Sequence, residues 1–228
     1  MNYEQMNNNK VYLYGKIMGK PNLSHEAYGE GFYELSLAVK RLSEHFDVIP
    51  ITVSEKLMSG NKFADGSMVA IKGQLRSYNK MIDGKSKLLL TVFVRELVDP
   101  VEDMCPNIIE LSGFICKPSI FRVTPFKREI CDILIAVNRA YNKSDYLPCI
   151  AWGRNARFVR DISVGEKVQI LGRIQSRDYQ KKLNDGSVNT KVAFEVSISQ
   201  IQSEAKNIVP FSGINPSEAK PNPAIAES

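Results

Sequence analysis

Apolar and polar positions alternate with a period of two through much of the chain, most clearly between Asp145 and Trp152. There Leu147, Cys149 and Ala151 fall on one side of an extended strand, and Tyr146, Pro148, Ile150 and Trp152 on the other. The first set is small and apolar, as the inside of a narrow barrel requires. The second turns two large rings outward. From 167 to 179 the same rule sorts Val168, Ile170, Gly172, Ile174 and Ser176 inward. Gln169, Leu171, Arg173, Gln175, Arg177 and Tyr179 face out, the two glutamines reading as ordinary solvated positions. Runs of β-branched and aromatic residues bounded by turn signals predict strands near 107–117, 128–139, 145–152, 167–179 and 190–201. Between the third and fourth, Phe158, Val159 and Ile162 at helical spacing predict one short helix, which Val164-Gly165 ends.

The pattern occurs twice. Residues 9–98 match 107–202 at an offset of 98 or 99: Asn9 with Asn107, Gly15 with Gly113, Ala38-Val-Lys-Arg41 with Ala136-Val-Asn-Arg139, and Gly66 to Gly73 with Gly165 to Gly172. A period near one hundred means two small domains rather than a solenoid. Five strands with a helix between the third and fourth is the order of an OB-fold barrel. Gly15 and Gly113 are expected where the first strand of such a barrel bends sharply. The chain is therefore expected to be all-β with one short helix per domain, built as two tandem five-stranded OB-fold barrels. Its expected parts are an N-terminal arm (1–8), a divergent first OB-fold domain (9–98), a linker (99–106), a second OB-fold domain (107–202) and a tail (203–228). The linker, acidic and bracketed by Pro100 and Pro106, should be stiff. The tail, rich in Ser, Asn, Pro, Ala and Glu, is expected to be disordered because it cannot bury enough apolar surface to offset chain entropy.

Charge sorts by domain. The first repeat has 13 basic and 9 acidic residues and the second 15 and 9, so both barrels are basic within a net charge of +5. No apolar run reaches the length needed to span a bilayer, and the polar N-terminus lacks a signal-peptide core. The protein is expected to stay in the cytoplasm where it is made, with no membrane partner. Cys105, Cys116, Cys131 and Cys149 include no CxxC pair, and His25 and His45 are remote from them, so no metal or other cofactor is expected. Four reduced thiols fit that compartment. Phosphate-cradling and zinc-protease motifs are absent, and Asp83-Gly84 and Asp185-Gly186 read as turns, so no catalytic residues are expected.

The candidate chemistry lies on the outward face of the second repeat. Tyr141, Tyr146, Trp152 and Tyr179 are interleaved there with Arg139, Lys143, Arg154, Arg173 and Arg177. Rings on an open sheet face, mixed with cations, are how proteins hold unpaired bases. The first repeat keeps cations (Arg41, Lys72, Arg76 and Lys80, with Tyr78) but has Val48, Pro50, Thr52 and Ser54 where the second has Tyr146, Pro148, Ile150 and Trp152, and Ser43 in place of Tyr141. It is expected to bind more weakly, through charge.

Three blocks, Leu134 to Arg139, Pro148 to Gly153 and Gly172 to Tyr179, closely resemble core blocks of the bacterial single-stranded DNA-binding protein family, and Asn107 with Leu111-Ser-Gly113 resembles its opening strand. The resemblance covers essentially all of the second repeat and, more faintly, the first. It implies that the four aromatic positions stack on bases, that Arg154 and Arg177 track the backbone, and that the protein is bacterial or phage-encoded and nucleoid-associated. Arg139, Lys143 and Arg173 are added from the strand faces. Because the family assembles four OB domains, a two-barrel chain implies a homodimer. First strands are exposed edges that could pair between subunits. One departure concerns the tail: the family's acidic tip ending in Pro-Phe is absent, the chain finishing Pro-Ala-Ile-Ala-Glu-Ser228, while Val209-Pro210-Phe211 is internal. Replication or repair proteins are the partners the resemblance implies, but the usual acidic Pro-Phe tip that would recruit them is absent from this sequence.

The expected function is sequence-tolerant binding of single-stranded DNA in replication, recombination or repair, without chemistry. An adaptor of the primosomal kind, linking DNA to a helicase or initiator, is the alternative from another class. RNA binding is the closer variant, since OB barrels take either polymer.

Overall fold

The computed structural model describes residues 7–41, 43–58, 62–82, 84–101, 104–182 and 188–204; for 82, 178–182 and 188–191 it describes the backbone alone. The first barrel comprises β1 (Asn9–Ala27), β2 (Glu30–Lys40), β3 (Phe46–Ser54), the single turn of α1 (Glu55–Met58), β4 (Met68–Ile82) and β5 (Lys85–Val98). The second comprises β6 (Asn107–Ile115), β7 (Ile120–Val123), β8 (Glu129–Arg139), β9 (Lys143–Trp152), α2 (Arg154–Arg160), β10 (Lys167–Lys182) and β11 (Val188–Ser203). Strand order β2-β3-β5-β4-β1 closes on itself through β1–β2, and β6-β10-β11-β9-β8 closes through β6–β8. Each is a five-stranded OB barrel. Short β7, flanking β8 at the sheet's end, is an addition that the sequence pattern did not predict.

Alternation accounts for the interiors. Leu13, Ile17, Leu37, Ile49, Ile51, Ile71 and Leu75 fill the first barrel, and Ile109, Ile115, Ile135, Leu147, Cys149, Val168 and Ile174 the second. Ala156 and Val159 of α2 are fully buried in the second core, with Ile162 just beyond the helix also buried and Phe158 packed against it. None of the four residues of α1 is fully buried, although Leu57 and Met58 pack against the first core, and Phe63 in the following loop enters it. Gly15 and Gly113 stand where the first strand passes from one neighbour to the other. A Cβ at either would strike the carbonyl oxygen of Ala38 or of its counterpart Ala136, so close backbone approach demands glycine at both.

The two barrels join through their first strands. β1 pairs antiparallel with β6, and the register runs from Asn9↔Leu111 to Leu13↔Asn107 around Val11↔Ile109. Val11 and Ile109 are counterparts in the duplication, so the junction has a pseudo-twofold axis inside one chain. This corrects the expectation that first strands are free edges for pairing between subunits: each edge is already satisfied by the other barrel. Buried Asn9 shows how one residue serves both sides. Its backbone has crossed to β6, while its side-chain amide donates to the carbonyl of Leu75 (2.7 Å) and accepts from the Leu75 N–H (2.9 Å), beyond the last β1–β4 pair at Gly73. Asn107 bonds Ile174 in the same way, at 2.7 and 2.9 Å.

A second pseudo-symmetric contact lies farther out. Buried Asp47 accepts from Arg41 (2.6 and 2.8 Å), from the Ser176 N–H across the seam (2.7 Å) and from the Ser176 hydroxyl (3.1 Å). Its counterpart Asp145 accepts from Arg139 (3.4 Å), from Arg76 of the other barrel (3.0 Å) and from the Ser77 N–H (2.8 Å). The Ser77 hydroxyl in turn accepts from the Tyr146 N–H at 2.7 Å. Each barrel's fourth strand is thus pinned to the other barrel's third. No helix among the described residues is long and apolar enough to cross a membrane.

Candidate nucleic-acid interface

Strand register assembles the outward face of the second barrel into cross-strand rows, because directly paired residues share a face. Trp152 lies opposite Ile130, Ile150 opposite Asp132, Pro148 opposite Leu134 and Tyr146 opposite Ala136. On the other side Ile150 is in register with Ser197 of β11, and Ser197 with Arg173 of β10. The alternation that buries Leu147, Cys149 and Ala151 therefore delivers Tyr146 and Trp152 outward, 48% and 39% exposed. Ile150 departs from the expectation. It is 3% exposed although it points outward, because Asp132 and Ser197 on the neighbouring strands flank it.

Tyr141 sits in the β8–β9 turn, 83% exposed, with a left-handed backbone (φ 61°). Glycine or asparagine takes that conformation more readily, and a tyrosine holds it at a cost on the order of 1–2 kcal/mol. Replacing Tyr141 by Gly is expected to weaken nucleic-acid binding, measured by titration, and retention of affinity would count against a ring placed for contact with bases.

The cations divide by environment. Lys143 and Arg154 are exposed with no carboxylate partner among the described residues. Arg177 is half exposed and 3.6 Å from buried Glu195. Arg173 is partly buried and reaches Gln175 at 3.4 Å. Gln175, expected to be solvated, is 9% exposed and donates to Glu195 at 2.8 Å, so it braces the face from within. Arg139 belongs to the Asp145 seam. For Tyr179 the structure gives only its backbone pairing with Lys191 in β10–β11; its side chain, like Phe211 and the tail, lies outside the described residues.

The model of the single-strand binding protein family matches residues 106–203. A single-stranded DNA-binding protein of Clostridium tetani is 32% identical over 100 residues, covering 40% of this chain and 68% of its own length. The chain belongs to the single-strand binding protein family. A single-stranded DNA-binding protein of Streptococcus agalactiae is 29% identical over 96 residues, covering 39% of this chain and 70% of that protein. The crystal structure of the wild-type single-stranded DNA binding protein from Thermus aquaticus shares the fold over 92% of this chain and 98% of its own, with a TM-score of 0.66 at 18% identity.

In this family member the family model matches the second barrel, and the first barrel presents a different surface. Arg41 and Arg76 are drawn into the seam with Asp47 and Asp145 rather than left on the face. Lys72 pairs with Glu96 at 3.8 Å, and Lys80 is exposed. The Tyr78 hydroxyl donates to Glu34 at 3.3 Å; partial burial and that carboxylate push its phenol above its ordinary value. Tyr78 and Pro50 line a groove of about 790 Å³ that also takes in Pro148 and Phe194, so the outer faces of the two barrels meet there. Position-by-position reading of the sequence missed Arg122. In β7 it pairs with Ile130 and shares the Trp152 row, its guanidinium held by Asp132 at 2.6 and 2.9 Å. The β-branched and aromatic run Ile120-Phe-Arg-Val before Thr124-Pro125 was the signal available.

Proposed function

We propose that the outward face of the second barrel binds single-stranded DNA without sequence preference and coats it in replication, recombination or repair. Bases stack on Tyr141, Tyr146, Trp152 and Tyr179. Phosphates meet Lys143, Arg154, Arg173 and Arg177, and no bond is made or broken. The observation that carries this reading is that Tyr146 and Trp152 stand exposed on one sheet face of an OB barrel, outside its hydrophobic core. In this reading 9–98 is the divergent domain and 107–202 the binding domain, with Lys72, Tyr78 and Lys80 as weaker contacts and Arg41, Arg76 and Arg139 holding the barrels together. The arrangement within one chain is the tandem form of the family. A homodimer would bring four barrels together, and it would have to use surfaces other than β1 and β6.

Titration with oligodeoxythymidine tests the reading through Trp152, the only tryptophan of the chain. Its emission is expected to change on saturation, with log K falling by about 0.7 per neutralised phosphate for each decade of salt. An unchanged emission places the site elsewhere. Competition by oligouridine of equal length separates DNA from RNA preference.

A further inference from the structure

The β7–β8 hairpin carries a ring and two cations that this interface has not used. Five residues, Thr124 to Arg128, turn the chain after the β7–β8 register ends at Val123↔Glu129. The turn is closed by the Thr124 N–H donating to the Arg128 carbonyl (2.8 Å), the Lys127 N–H to the Thr124 carbonyl (2.8 Å) and the Arg128 N–H to the Thr124 hydroxyl (3.0 Å). Its shape is therefore fixed by the backbone and the Thr124 hydroxyl. Phe126 takes no part in these bonds, and its side chain is 87% exposed at the tip, more than Tyr146 or Trp152. Lys127 and Arg128 beside it are exposed and have no carboxylate partner among the described residues. Nearby Arg122 and Arg157 differ, being paired with Asp132 and Glu129. Together with Arg154, Lys127 and Arg128 therefore leave unneutralised charge at this end of the sheet, two of the three cations standing at the tip.

The tip is continuous with the candidate interface. The Gly153 N–H donates to the Glu129 carbonyl at 2.9 Å, and Trp152 pairs with Ile130. Arg128 lies two positions before Ile130, in the turn that leads into β8. Phe126 stands four positions before Ile130, so at ~3.4 Å per residue its backbone lies within ~14 Å of the Trp152 row along the sheet. One strand of nucleic acid can touch both.

We propose that Phe126, Lys127 and Arg128 form a further seat for single-stranded nucleic acid, in which a base stacks on Phe126 and the flanking phosphates meet the two cations. The seat extends the path past the Trp152 end of the sheet, and it rests on the function proposed above. Oligodeoxythymidines of increasing length are titrated into the full-length wild-type protein, Phe126→Ala and the double variant Lys127→Ala/Arg128→Ala, with Trp152 emission as the readout. Phe126→Ala is expected to match wild type on the shortest oligonucleotides that bind and to be at least about fivefold weaker on longer ones. The double variant is expected to lower the salt slope by about 0.7 for each phosphate that is no longer neutralised. Equal affinities at every length, with wild type binding normally, would overturn this seat and leave the main interface standing. Failure of wild type to bind at all would overturn the main interface instead. A drop in solution mass for Phe126→Ala at unchanged affinity would also overturn the seat, by making the tip a contact between copies of the chain.

Discussion

Trp152→Ala and Tyr146→Ala each weaken oligodeoxythymidine binding by about fivefold to about 150-fold, the equivalent of ~1–3 kcal/mol per stacked base. Both rings are 39–48% exposed on the sheet face, so truncation removes contact area without opening a core cavity. Melting temperatures should hardly move. Phenylalanine at either position retains a π face and should restore most of the affinity. Rings neutralise no phosphate, so the salt slope of each alanine variant should equal that of wild type, whereas Arg154→Ala should weaken binding and reduce the slope together. The two rings share strand β9, so the double variant need not lose the sum of the two effects. Because Trp152→Ala removes the fluorophore, its affinity is read by anisotropy of a labelled oligonucleotide. Wild-type affinity in both single variants would remove stacking from the mechanism.

Asp47→Ala and Asp145→Ala are expected to destabilise the protein by about 3–5 kcal/mol each, the cost of stripping one partner from a buried ion pair. Each carboxylate is 1% exposed and accepts bonds from both barrels or across the seam. Removing Asp47 takes the carboxylate from Arg41 and the Ser176 N–H, and removing Asp145 takes it from Arg76, Arg139 and the Ser77 N–H, so chemical denaturation should begin earlier. The Asp47 arm is also visible in pH. Burial pushes its carboxyl up, but Arg41 and the Ser176 N–H and hydroxyl outweigh burial and hold it below the ordinary carboxylate range. A carboxyl depressed in the folded state stabilises fully above its unfolded value of ~3.9 and loses that contribution as pH falls through the lower folded value. Wild type should therefore lose stability below about pH 4, and Asp47→Ala should lose less over that interval. Parallel pH profiles for the two proteins would show that the seam carries no such linkage.

The core was legible from the sequence because a strand has a period of two. Leu147, Cys149 and Ala151, or Val168, Ile170 and Ile174, sort inward by parity alone, and parity also delivers Tyr146 and Trp152 outward. The duplication was legible because Gly15 with Gly113, and Asn9 with Asn107, answer the same local demands twice: close backbone approach and the bonding of an unpaired strand position. Parity says which side a residue faces and nothing about what lies across from it. Ile150 and Gln175 face outward and are nevertheless buried, since their neighbours come from β8 and β11, distant in sequence. Arg41, Arg76 and Arg139 were read from the sequence as phosphate contacts, and their pairing at the seam was not legible there, because only the packing of the barrels gathers them around Asp47 and Asp145. The pairing of β1 with β6 was likewise decided in three dimensions. An unpaired edge bonds whichever strand is presented to it, and a short linker presents the other barrel of the same chain first.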